Sequence, residues 1–391
     1  MTQKTDNKLL MVEQERGAGV PLALVCCMFF VVFGIYNDQN LFWAHCRIAE
    51  WSVLVFVSLF FIRNGWMKFF LLYSLFRMVL LFFQTPDPLA QKAGASAFIY
   101  FYYFFLAAIM FQTLDDVIRK THLEIIINGM AIIAAIQTIY IWFQHFGYDP
   151  VFSAWVESSN FIHMDVKNLV VGTWAHTNFS GAYLACSVPL FLRRKLFWFV
   201  PVILVAIFWG RSWGATIACA FGIMIWAIIT QKPWIKGIII TVTMFLLFTY
   251  GVMFEQKQFD FMKSDRIQYI QPTIEMIKVR PLTGWGQGQY KSAFYSISNK
   301  FFMGNSGRGH AHFDILEYVF EMGFIGLLPV VGFLATLTIH FLKNITLLSS
   351  LAFSGMVALL VNSCSTFVMH TPMFWIVLVY IIIIKKERLP C

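Results

Sequence analysis

The sequence predicts an all-α membrane protein with about twelve transmembrane helices and one long extracytoplasmic loop carrying short amphipathic helices. Two observations lead there. The 391 residues are 59% hydrophobic and only 13% charged, about half the charge of a soluble globular domain. The apolar residues also fall in runs of roughly 15 to 25, long enough at about 1.5 Å per residue to cross a hydrocarbon layer of about 30 Å. The short alternating stretches that a membrane barrel needs are missing.

Taken in order, the spans are 20–36, 48–62, 66–83, 95–111, 124–143, 174–192, 196–210, 213–230, 235–253, 314–340, 347–367 and 373–384. The first follows a polar segment and lacks a small-residue cleavage site, so it is expected to be a retained anchor. Three regions follow: a bundle over 1–253 with about nine helices, an extracytoplasmic loop over 254–313, and about three helices over 314–391.

Orientation comes from the basic residues. With the N-terminus cytoplasmic, the inner loops hold sixteen of them, among them Arg63, Lys68, Arg119, Lys120, Arg193, Arg194 and Lys195. The short outer loops hold four, Arg47, Lys92, Lys167 and Arg211. Both termini are therefore expected inside and the long loop outside. The net charge of +9 arises partly from this bias and does not imply nucleic acid. Eight basic residues in the long loop still allow that face to attract an anion. The seven cysteines are scattered, form no CxxC site, and read as packing residues. No pseudo-symmetric pair of interrupted helices of the transporter kind is evident.

Within the long loop, Ile267, Tyr269, Ile270, Ile274 and Ile277 recur near helical spacing, as in an amphipathic helix on a membrane surface. Pro281 ends it. The GWGQG run from Gly284 to Gly288 makes a turn whose backbone can approach a ligand closely, or simply a structural turn.

The segment RGHAHFDILEYVFEMGFIG, from Arg308 to Gly326, closes the loop. Asp314 and Glu317 fit a capping box, with a helix beginning near Ile315 and running on through Gly323 and Gly326. His310 and His312 then stand at the water boundary, where a neutral imidazole can take a proton from an attacking hydroxyl. They are otherwise ordinary interfacial histidines. The HxHxD alternation of His310, His312 and Asp314 also permits metal, if further ligands exist.

Glu321 lies inside the apolar run, and such acids usually face a cavity or a partner. Arg77, within the third span, is a candidate partner or else a snorkelling cation. Arg211 in the hairpin GRSWGA and Arg266 at the start of the amphipathic segment would together suit a diphosphate, because guanidinium forks bind phosphate oxygens bidentately. Singly, each is an ordinary headgroup anchor.

These stretches resemble the O-antigen ligase and polymerase superfamily of bacterial polytopic glycosyltransferases. That family pairs an outer-loop histidine and its following Asn, Ser or Gln with GxxG nine residues on. Here His312 and Phe313 precede Gly323-Phe-Ile-Gly326 at that spacing, with Phe313 departing from the pattern. SDRIQYIQPTIEMIKVRPLTGWGQGQY resembles the family's arginine, amphipathic helix, proline and glycine turn. GRSWGA resembles its Ser-Arg-Gly-Ala element, and GTWAHTNFSGAYL its stretch before the middle helices, with Asn178 in the matching place. The resemblance spans roughly residues 170–330.

What the resemblance implies is transfer of a glycan from an undecaprenyl diphosphate carrier to an acceptor hydroxyl, on a lipid A core or a similar lipid or glycan, without cofactor, metal or nucleotide sugar. It places the protein in a bacterial inner membrane with its active site periplasmic. His312 would be the general base, and Arg211 and Arg266 would hold the diphosphate. His310, Asp314, Glu317, Glu321 and Asn178 would support them. No DxD is present, the carboxylate pair by which many nucleotide-sugar transferases hold a metal. A polysaccharide polymerase, a protein O-oligosaccharyltransferase, a flippase for lipid-linked sugars and an impaired member, suggested by Phe313, remain the alternatives.

Overall fold

The computed structural model describes residues 65–66, 68–69, 72–73, 76–77, 120–149, 170, 172, 177–193, 196–210, 212–256, 265–286, 288–290, 293, 311, 313–343 and 345–365. Predicted spans 20–36, 48–62, 95–111 and 373–384 lie outside the described residues. The span expected at 66–83 is represented by helical residues between Gly65 and Arg77. Among the described residues the long elements are all helices: α1 (Lys120–His145), α2 (Thr177–Phe191), α3 (Val200–Trp209), α4 (Trp213–Thr230), α5 (Pro233–Gln256), α6 (Asp265–Val279), α7 (Asp314–Lys343) and α8 (Leu347–Ser363). Three stretches, Ile127–His145, Trp213–Thr230 and Asp314–Lys343, are long and apolar enough to cross a membrane.

The centre of the bundle is α2, buried at every residue from Phe179 to Phe191. A helix buried all round needs close neighbours, and small residues supply them. A Cβ on Gly181 would stand 2.8 Å from the Ala215 methyl of α4, and one on Gly355 of α8 would stand 2.6 Å from the Cys186 carbonyl. Between α4 and α8, Gly222 faces Ala358 and the Ser354 carbonyl. Each glycine lets two backbones approach where any side chain would hold them apart.

The register of these contacts sets directions. Gly181 meets residues 212 and 215 while Gly222 meets Pro189 further along, so α2 and α4 run parallel. Gly214 meets residues 362 and 365 while Gly222 meets 354 and 358, so α8 runs against them. The N-termini of α2 and α4 and the C-terminus of α8 therefore share one end of the bundle, as the predicted order of spans requires. At the start of α8, Thr346 and Ser349 form a capping box: the Thr346 hydroxyl accepts the Ser349 N–H at 3.1 Å, and Ser349 Oγ accepts the Thr346 N–H at 2.7 Å.

Helix α7 departs from expectation. The apolar periodicity predicts an uninterrupted helix, but Gly323 has φ 68° and ψ −179°, so α7 is two helical pieces joined at that residue. A break at membrane depth frees carbonyls above it and N–H groups below it, and these must find partners within the protein.

Candidate active site

The shared end of α2, α4 and α8 is polar. Ser212, just before α4, donates its hydroxyl to Asn178 Oδ1 in the first turn of α2 at 3.1 Å. Ser212 occupies the N-cap of α4 yet makes no side-chain capping bond there. Gly214, in the same first turn, lies against Ser365 and Asn362 at the end of α8. Asp314, the first residue of α7, is fully buried and close enough to Cys364 for the two to interact electrostatically. The N-termini of α2, α4 and α7 thus gather at one end, where their positive dipole ends favour an anion.

Helix α1 closes the side of this end. Gly172, at φ 66°, donates its N–H to Gln144 Oε1 at 2.7 Å. Gln137 donates from Nε2 to Ser180 Oγ at 3.0 Å, both groups buried. A Cβ on Gly172 would fall 2.3 Å from Gln137 Nε2 and 2.4 Å from Ser180 Oγ, so only glycine leaves this junction intact. Gln144 Nε2 and the Tyr140 hydroxyl both donate to Asp149. His145 stacks flat on Trp209, the last residue of α3, at 3.7 Å between ring centroids. The hairpin bearing Arg211 begins one residue further on.

The start of α7 is held by a carboxylate. Glu317 is 1% exposed, and its Oε2 accepts the N–H of Ala311 at 2.7 Å. The reach is longer than the predicted capping box allows, because the helix starts at Asp314 itself and Glu317 bridges back across position 312.

The break in α7 is filled by the glycine turn of the long loop. The N–H groups of Trp285 and Gly286 donate to the carbonyls of Phe320 and Glu321, both at 2.9 Å. Below the break, the N–H groups of Phe324 and Ile325 donate to the carbonyls of Pro281 and Leu282, at 2.9 and 3.2 Å. The Tyr73 hydroxyl donates to the Met322 carbonyl at 2.7 Å. The loop backbone thereby replaces the missing helical ladder.

Glu321 and Arg77 bond to the same turn and not to each other, so the pairing that was one of the readings open for Arg77 is not the one found. Glu321 Oε1 accepts the Gly288 N–H at 2.8 Å, and Arg77 Nη2 donates to the Gly284 carbonyl at 3.0 Å. Both side chains are buried, at 2% and 3% exposure. Backbone dipoles of the turn stand between the two charges.

Of the predicted site residues, His310, His312 and Arg211 lie outside the described residues, and Arg266 is described only by its backbone in α6. Asn178, Asp314, Glu317 and Glu321 are described as above. Sequence reasoning missed Tyr73, Gln137, Gln144, Asn362 and Ser365. Their one signal is a polar group inside an apolar run, which by itself does not say where the group points.

The described contacts join the four stretches singled out in the sequence. GTWAHTNFSGAYL meets GRSWGA through Asn178 and Ser212, and the glycine turn threads the Gly323-Phe-Ile-Gly326 element. Helix α8 links the two pairs through Gly214 and Asp314. A comparison with curated proteins finds no match. Residues 198–331 match the family model described as O-antigen ligase, and this match supports glycan transfer of the ligase or polymerase kind, with lipid-linked glycan and acceptor substrates in general. The matched segment runs from just before α3 through the break in α7 to Val331, and it is a domain of the O-antigen ligase and polymerase superfamily.

Proposed function

We propose that the chain is a ligase-type glycosyltransferase of a bacterial inner membrane. It moves a glycan from an undecaprenyl diphosphate carrier to an acceptor hydroxyl on a lipid core, at the periplasmic face. The observation that carries this reading is the convergence of Asn178, Ser212, Gly214, Asn362 and Asp314 on one end of the bundle. Ser212 adjoins Arg211 in the chain, and Ala311 and Phe313 flank His312.

In the proposed reaction His312 takes the proton of the acceptor hydroxyl as its oxygen attacks the anomeric carbon. The carbon–oxygen bond to the diphosphate breaks, and undecaprenyl diphosphate departs with the electron pair. Arg211 and Arg266 hold the diphosphate and stabilise its developing charge. The N-terminus of α4 beside Arg211 adds a favourable dipole. Glu317 fixes the backbone before His312 through Ala311, Asp314 begins the helix after it, and His310 supports the same turn. Asn178 orients the Arg211 hairpin through Ser212, and Glu321 holds the glycine turn. Little acid catalysis is needed, since diphosphate leaves readily.

Glycan transfer by purified protein, with a lipid diphosphate donor and no metal or nucleotide sugar, tests the reading. Product with the wild-type chain and a loss of about 10² to 10⁴ in rate for His312→Ala at equal folded yield is expected. Unchanged transfer by that variant would overturn the assignment of the base. Surface glycans after deletion separate ligase from polymerase: unattached long chains mean ligase, and single repeat units mean polymerase.

A further inference from the structure

We infer that the exposed rings at the end of α1, Phe146 and Tyr148, form with Asp149 a subsite for one sugar ring of a glycan substrate, away from the bond being made. This rests on the proposed transfer and adds where a remote part of the glycan is held. Phe146 and Tyr148 are 70% and 61% exposed, and both lie beyond His145, where the apolar stretch able to cross a membrane ends. Gly147 between them has φ 84°, and a Cβ there would meet nothing within 4 Å. The helix end is nevertheless closed. The N–H groups of Phe146, Gly147 and Tyr148 donate to the carbonyls of Trp142, Gln144 and Phe143 at 3.2, 3.0 and 2.9 Å. Each ring also has a neighbour edge-on, Trp209 for Phe146 at 5.9 Å and Phe143 for Tyr148 at 5.8 Å. Two exposed rings thus stand on fixed backbone, with open space at the glycine between them.

A pyranose has a face of C–H groups and a rim of hydroxyls, so its receptor needs aromatic surface and a hydrogen-bond acceptor together. Asp149, next to Tyr148 in the chain, supplies the acceptor. It is half-buried and held by Gln144 Nε2 at 2.9 Å and by the Tyr140 hydroxyl, and the two oxygens of a carboxylate offer about four acceptor sites. Anchoring at the membrane interface is the other use of such rings, but a carboxylate set beside them repels a lipid phosphate and has no use for an acyl chain. The cluster is also continuous with the candidate active site. Gln144 accepts the N–H of Gly172, which packs on Ser180 in the first turn of α2. A Cβ on Gly210, at the base of the Arg211 hairpin, would stand 3.8 Å from the Val170 carbonyl. Val170 and Gly172 therefore bridge the end of α1 to α2 and to the hairpin, so a glycan extending sideways from the polar end of the bundle meets these rings.

Saturation-transfer NMR of the purified full chain in nanodiscs tests the subsite with two free oligosaccharides as probes. One is the glycan released by mild acid from the host's lipid diphosphates, the other the sugar core released from its lipid acceptor. Saturation of the ring protons of one probe is expected, and it tells which partner of the reaction the rings hold. The double variant Phe146→Leu, Tyr148→Leu keeps apolar bulk at two exposed positions but no ring. It should weaken binding of that probe about fivefold without lowering the melting temperature. Phe146→Trp and Tyr148→Phe should each keep it. Binding of neither probe, or binding unchanged in the double variant, would overturn the inference, and the second result would assign the rings to the membrane interface. Binding intact in a wild-type chain that transfers no glycan would sink the proposed function and leave the subsite standing, whereas transfer without binding would do the reverse.

Discussion

Gly284 and Gly323 interlock, each occupying the space that a side chain on the other's strand of backbone would need. Both have positive φ, 67° and 68°. A Cβ on Gly284 would stand 2.4 Å from the Glu321 carbonyl oxygen, and one on Gly323 would stand 2.2 Å from the Leu282 carbonyl oxygen. The atoms met are backbone and cannot swing away. Two glycines far apart in sequence are thus joined in one structural requirement.

Gly284→Ala or Gly323→Ala should therefore cost more than the 1 to 3 kcal/mol or so that a residue in a sparsely populated backbone region costs on its own. The double variant should cost less than the sum, because one displacement of the loop relieves both clashes. Gly237→Ala in α5, with nothing within 4 Å of the new methyl, is the control and should be neutral or mildly stabilising. Thermal unfolding of the detergent-solubilised protein reads all four.

Removing the Tyr73 hydroxyl as Tyr73→Phe leaves the Met322 carbonyl at the break without its donor. A loss of about 1 to 3 kcal/mol is expected. Faster hydrogen exchange should be confined to residues 284–288 and the turn before Gly323. Exchange unchanged there would mean that the hydroxyl does not hold the break.

Glu321→Gln keeps an oxygen that can accept the Gly288 N–H, whereas Glu321→Leu removes it. The glutamine variant should retain most folded yield and the leucine variant should lose it, by about 1 to 3 kcal/mol for a buried donor left unsatisfied. Equal behaviour of the two would show that packing, and not the bond to Gly288, is what position 321 supplies.

Asn178→Ala deprives the Ser212 hydroxyl of its acceptor and loosens the hairpin that carries Arg211. Under the proposed function, donor KM should rise about fivefold, the equivalent of one ordinary hydrogen bond of about 1 kcal/mol. kcat should change less. Asn178→Asp, which keeps an acceptor oxygen, should restore most of the difference. A fall in kcat alone would place Asn178 in the chemistry instead.

Gly355→Ala places a methyl 2.6 Å from the Cys186 carbonyl and should push α8 from α2, at a cost of about 1 to 3 kcal/mol for overpacking. The drop in melting temperature is the measurement. Activity per folded molecule should fall too, since α8 carries Asn362 and Ser365 to the polar end of the bundle.

By itself the sequence determined the class of protein, the positions of α1 through α5 to within a few residues, and the amphipathic α6 ending before Pro281. These follow from composition, hydrophobic run length and local turn residues, which act over a few residues of chain. The tertiary structure alone decided that α7 breaks at Gly323, that Arg77 and Glu321 grip opposite ends of one glycine turn, and that Gln137, Gln144 and Asn362 line the polar end. A helical pattern reads the same whether or not it is interrupted. The interruption is tolerable only because a loop some forty residues earlier in the chain satisfies the freed N–H and carbonyl groups, and such partners are set by non-local contact.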